Sequence, residues 1–125
     1  MIDTQKKEEN AEARALRYFS LMKDAFIEQD YVRTIDLFDA MKGELSTIPD
    51  AFNDCLTVRY KADRLRKEAM DDINLRLDSA NEAIEKQTIK DRDYADLEYE
   101  YAKFLVDGAT EILTRFRILR SFPES

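Results

Sequence analysis

The sequence predicts an all-α fold, an elongated bundle of about four helices in which a short N-terminal helical pair packs on a long antiparallel hairpin. Three observations predict it. Apolar residues recur three and four positions apart through most of the 125 residues, which is the period of one helical face. Only two Gly and two Pro are present, too few for the many turns of a sandwich or barrel. Charged residues make up 38% and hydrophobic ones 44%, a balance that suits helices with one buried and one solvated face rather than a disordered chain. The length suits a single domain over residues 1–125, able to bury roughly two thirds of the surface its unfolded chain exposes.

Residues 1–14 are mostly polar and are expected to fray. From Leu16 the spacing of Leu16, Phe19, Met22 and Phe26 defines the face of a first helix, which should end near residues 28–30. A second helix is expected over 31–42, carrying Tyr31, Ile35, Phe38 and Met41, with Gly43 as its stop. Thr47-Ile48-Pro49-Asp50 has the pattern of a capping box with Pro in the first turn, and should open a third helix over about 47–87. Val58, Ala62, Leu65, Ala69, Ile73, Leu77, Ala80 and Ile84 mark its stripe. Thr88-Ile89-Lys90-Asp91 repeats the cap pattern, which places the start of a fourth helix at 88 and its end near 122. Two helices of this length form a hairpin roughly 50 Å long at 1.5 Å per residue.

The fourth helix is apolar over an arc of roughly 200°, wider than one neighbouring helix requires. Either it is central to the bundle, or a second chain covers one side through Ala102, Val106, Ala109 and Leu113. Gly108 lies on this seam, where a mid-helix Gly costs about 1 kcal/mol relative to Ala, so another backbone should approach closely or the helix should kink.

The segment from Asp30 to Met41 resembles the second helix of a tetratricopeptide repeat, with Tyr31, Ile35 and Phe38 at its anchor positions and Leu21 suiting the preceding helix. Thr34 stands where that repeat has a smaller residue, and no second copy follows at the 34-residue period such arrays keep. Phe104 to Leu113 looks faintly like the last helix of membrane-curving BAR domains, from which a net charge of −7 departs. Neither likeness names a family.

Chemistry is conspicuous by what is missing. The chain has no His, the usual neutral-pH base and commonest metal ligand, and a single Cys55, which reads as a small buried apolar residue. No Gly-rich phosphate loop occurs, and pairs such as Asp71-Asp72 point about 100° apart on a helix. The expectation is no enzyme, no cofactor and no metal. The N-terminus lacks the apolar core of a signal peptide and no apolar run is long enough for a membrane span, so a cytoplasmic protein without membrane insertion is expected.

The charge count is 27 acidic against 20 basic residues. Two basic clusters interrupt it: Arg59, Lys61, Arg64, Arg66 and Lys67 on the third helix, and Arg115, Arg117 and Arg120 on the fourth. A hairpin turning near residue 89 sets 59 opposite 119 and gathers both clusters at its open end, leaving an acidic turn end. Arg59, Lys61, Arg64, Lys67, Arg115, Arg117 and Arg120 are therefore candidate partner-binding residues. The leading functional expectation is a non-enzymatic helical protein-interaction module, an adaptor, chaperone or assembly subunit, forming a homodimer through the fourth helix or a hetero-complex. One alternative is a binder of acidic lipid or nucleic acid through the basic end, although net charge disfavours nucleic acid. Another is an acidic decoy that inhibits a nucleic-acid-binding enzyme.

Overall fold

A computed structural model of the chain describes residues 10–119. Among these residues the fold is an all-α bundle without strands. Helix α1 spans Ala11–Ile27, opening not after residue 14 but at Asn10, whose side chain accepts the Ala13 N–H at 2.7 Å. The expected fraying of 1–9 lies outside the described residues. α1 stops where Gln29 takes a left-handed conformation (φ 64°), and the Asp30 N–H then reaches the Ala25 carbonyl at 2.9 Å. This closes the helix as a Schellman motif, with Gln at the position Gly usually holds.

Helix α2 spans Tyr31–Glu44 and is capped by Asp30, whose carboxylate accepts the Arg33 N–H at 3.2 Å. Gly43 is not its stop. It sits inside the last turn with an ordinary φ, and the chain continues into a 3₁₀ turn, Leu45–Thr47, because Leu45 is drawn fully into the core. Helix α3 spans Pro49–Ser79. The expected Thr47 cap does not form: Ile48 takes the cap position without a side-chain hydrogen bond, and Pro49 fills the first turn, where a missing N–H costs nothing.

The hairpin turns earlier than the cap patterns imply, at Ala80–Glu82 rather than near residue 89. Ala80 is extended (ψ 133°), and the Ser79 hydroxyl donates back to the Leu75 carbonyl at 3.0 Å, the kind of local bond that competes with helix propagation. Helical backbone resumes at α4, Ala83–Thr88, and passes through a π turn, Ile89–Asp93, into α5, Tyr94–Arg115. Thr88 is no cap; its hydroxyl donates to the Ile84 carbonyl at 3.0 Å in the middle of this continuous stretch. α5 ends at Arg115 rather than 122, through a second left-handed residue, Arg117 (φ 60°). The Ile118 N–H reaches the Leu113 carbonyl at 2.8 Å, and the Ile118 side chain turns under the helix end and is buried.

α5 is the central helix. α1, α2 and α3 all pack on its C-terminal half, and its Leu105, Ala109, Ile112 and Leu113 share one core with Phe19 and Met22 of α1, Phe38 and Met41 of α2, and Ala51 and Cys55 of α3. Small residues set the spacing. A Cβ on Gly108 would lie 2.6 Å from Val58 Cγ1, so what comes close at this position is not the expected backbone but a β-branched side chain of α3 that has little rotamer freedom in a helix. The rings of Phe26, Tyr31 and Tyr99, with centroids 5.4–6.4 Å apart, close the α1–α2 turn onto α5.

Beyond that aromatic seam the hairpin runs on alone. Between Asp63 and Glu100 only Ile73, Ala80 and Leu97 are buried, while Leu65, Leu75 and Ile84 remain 52%, 66% and 79% exposed. The molecule is a four-helix base with a two-helix arm.

Two substitutions test these determinants. Gly108→Ala gains about 1 kcal/mol of helix propensity but overpacks the α3–α5 contact by about 1–3 kcal/mol, so a net loss in denaturant melts is expected. In a double-mutant cycle Val58→Ala restores most of that loss; additivity would mean that the two residues do not limit the approach. Gln29→Gly relieves a left-handed Gln at an exposed site and should raise stability by about 0.5–1 kcal/mol.

Candidate functional site

The early turn changes which residues face each other. Arg59 lies beside Tyr101 instead of Leu119, and Arg115 lies beside Asp54, so the two basic clusters do not meet at one end. Arginines of both clusters pair with neighbouring carboxylates. Arg59 donates to Asp39 of α2 at 3.1 Å and to Asp63, Arg64 to Glu68 at 3.3 Å, and Arg115 to Asp54. Lys61 and Lys67 are exposed and make no ion pair with any described residue. Arg117 is the left-handed residue that ends α5, and Arg120 lies outside the described residues.

The candidate dimer face is corrected as well. Ala102, Ala109 and Leu113 are fully buried and Val106 is half-buried against the core of the same chain, because α1 and α2 already cover this side of α5. Of the two explanations for the broad apolar arc, the central position of the helix accounts for this side of it.

The opposite side of α5 is bare. Phe104 and Leu113 are nine positions apart, half a turn of azimuth at 100° per residue, so Phe104 faces away from α1 and α2. Here α3 and α5 leave a trough of about 510 Å³, running from Ala62 to Arg76 on one wall and from Asp93 to Asp107 on the other. At 1.5 Å per residue it is roughly 20 Å long. Leu65, Ala69 and Phe104 present apolar surface along it, over a floor of buried Ile73, Leu97 and Tyr101. Both walls are helices and among the described residues no third element roofs it, a geometry suited to receiving another helix rather than enclosing a small ligand.

The rim is polar and mostly self-satisfied. Arg66 donates to Glu98 at 2.8 Å, and its guanidinium lies 5.1 Å from the centroid of the Tyr101 ring. Arg76 bridges Asp72 at 3.1 Å and Asp93, and Lys103 donates to Asp107 at 2.8 Å. Asp96 and Glu100 are exposed and have no ion-pair partner among the described residues.

At the inner end of the trough, Tyr101 donates to Asp63 and accepts from Arg59, which also holds Asp39, so one guanidinium ties α2, α3 and α5 together. Burial, reinforced by the hydrogen bond to Asp63, pushes the Tyr101 phenol up to about 12, against the opposing pull of Arg59. Burial, with Asp54 adjacent, likewise pushes the Cys55 thiol up to about 12, which leaves it protonated and a poor nucleophile. Among the described residues no three His, Cys, Asp or Glu side chains converge as a metal cluster, and no helix is long and apolar enough to cross a membrane.

The sequence places Leu65, Ala69 and Ile73 on the stripe of the third helix and Leu97 and Phe104 in the arc of the fourth; Ile73 and Leu97 are buried, whereas Leu65 is left 52% exposed. The signal that could have separated them was count: the base has two helices to lay against α5, and their short spans cannot reach past Tyr99.

Because its phenol is held neutral, folded protein binds the Tyr101 proton more tightly than the unfolded chain does. The stabilisation is complete below the ordinary tyrosine pKa of about 10 and is lost as pH rises toward 12, at about 1.4 kcal/mol per pH unit. Tyr101→Phe should cost about 1–2 kcal/mol at neutral pH, and denaturant melts should show this difference shrinking above pH about 10. A constant difference would mean that the phenol is not held in this way.

Comparison of the chain with protein-family models, with curated proteins and with solved structures gives no match.

Proposed function

We propose that this protein is a non-enzymatic helical interaction module that receives a helix of another protein in the trough along its arm. The observation that carries this reading is the apolar surface that Leu65, Ala69 and Phe104 leave open between two helices, over a floor of buried Ile73 and Leu97. A third helix seated there would complete in the arm the layer that α1 and α2 complete in the base. Leu65, at 52% exposed, is held in water by nothing its own chain needs, and burying such a side chain contributes about 1.5–3 kcal/mol.

The absence of an enzyme-like site in the sequence supports the same reading: there is no His, and the one thiol is buried. Adaptor, chaperone and assembly subunit are all roles that such a trough serves, and a hetero-complex fits it better than self-association through Ala102, Ala109 and Leu113.

A photoreactive residue at position 69 should cross-link a partner protein, whereas one at Tyr60, on the outer face of α3, should not. The cross-linked partner, once purified, should bind Leu65→Glu at least about tenfold more weakly, with the melting temperature of the variant unchanged. Equal cross-linking from position 60, together with unchanged affinity for Leu65→Glu, would remove the trough as the binding surface.

A further inference from the structure

The two walls of the trough differ in charge, and the difference points to the kind of helix it takes. On α5 the rim residues Asp93, Asp96, Glu100, Lys103 and Asp107 follow one another at spacings of three and four and form one stripe. Lys103, its one cation, is held by Asp107 at 2.8 Å. On α3 both arginines are occupied, Arg66 by Glu98 and Arg76 by Asp72 and Asp93. Every basic group of the trough is therefore neutralised within the chain, while Asp96 and Glu100, one helical turn apart and exposed, are left without an ion-pair partner.

We infer that the occupant of the trough is a cationic amphipathic helix: an apolar stripe lies on Leu65, Ala69 and Phe104, and Lys or Arg residues four apart on its α5-facing flank meet Asp96 and Glu100. This inference rests on the trough being the interaction surface. An anionic helix would set its carboxylates against Asp96 and Glu100, and the cations that line the trough, Arg66, Arg76 and Lys103, are already paired within the chain. A second copy of this chain would bring its own stripe of carboxylates to the same place. The net charge of −7 adds long-range attraction for a basic partner and repels an acidic one. Exposed ion pairs contribute little each, so the charges select the partner while the apolar stripe holds it.

Three synthetic peptides of about 18 residues, long enough for the trough, test this: Leu at helical 3–4 spacing with Lys, Gln or Glu at every other position. Titrated into the full chain, the Lys peptide should bind at least about tenfold more tightly than the Gln peptide, and the Glu peptide should bind weakest. Asp96→Lys combined with Glu100→Lys, both at exposed sites, should reverse the order of the Lys and Glu peptides. Leu65→Glu should weaken the Lys and Gln peptides alike. If the Lys and Gln peptides bind equally well and both are lost in Leu65→Glu, the trough still receives helices but the cationic preference is overturned. If the Lys peptide binds and Leu65→Glu leaves it unchanged, it sits elsewhere on the acidic surface, and both the inference and the trough reading fall. Absence of binding by all three peptides overturns both as well.

Discussion

The distance between α3 and α5 at Val58 and Gly108 controls the rest of the packing. With no side chain at 108, the stiff Val58 lies directly against the α5 backbone, and Ala51, Ala62 and Ala109 continue the same close seam. A helix drawn this near its neighbour presents its remaining circumference to whatever else is available. In the base that is α1 and α2, whose aromatic and methionine side chains fill the far side of α5. In the arm no other described helix does so, and the same geometry that makes a core at one end makes an open trough at the other.

The charges follow from that division. In the base, Arg59 serves Asp39, Asp63 and Tyr101 from one guanidinium and joins three helices, at a place where a missing partner would leave a half-buried charge. In the arm the pairs are solvated and worth less individually, so their arrangement matters more than their number. Of the basic residues that stand out along α3 and near the end of α5, Arg59, Arg66 and Arg115 join one helix to another. What the chain leaves without an ion-pair partner on the rim of its trough is negative.

Fold class, helix content and the order of the elements were legible from apolar period and from the scarcity of Gly and Pro. Helix ends were less so. Gln29 and Arg117 take left-handed conformations that Gly43 does not, because tertiary burial of Leu45 and Ile118 decides where the chain must bend, and a residue's own preference yields to it. Thr47 and Thr88 have cap sequences, but Thr47 stands one residue ahead of the Ile48 cap position and Thr88 lies inside continuous helical backbone. The turn at Ala80–Glu82 carries only Ser79, Ala80 and Asn81 as signal, weak helix formers but for the alanine. Misplacing that turn near residue 89 misaligns the whole hairpin, and this is why the basic clusters appeared to converge. The trough was invisible for a different reason: an apolar residue left exposed and one covered by its own chain have the same composition and spacing.

The separation of base from arm has a consequence for how this protein can change. The turn at Ala80–Glu82 lies far from the base core, and Asn81 to Thr88 are exposed throughout. Adding or removing matched whole turns on both sides of it would lengthen or shorten the arm without disturbing a single contact among Phe19, Phe38 and Leu113. Reach and foldability are therefore separate variables in this architecture, and the arm is free to be re-measured for a partner of a different span while the base that carries it stays as it is.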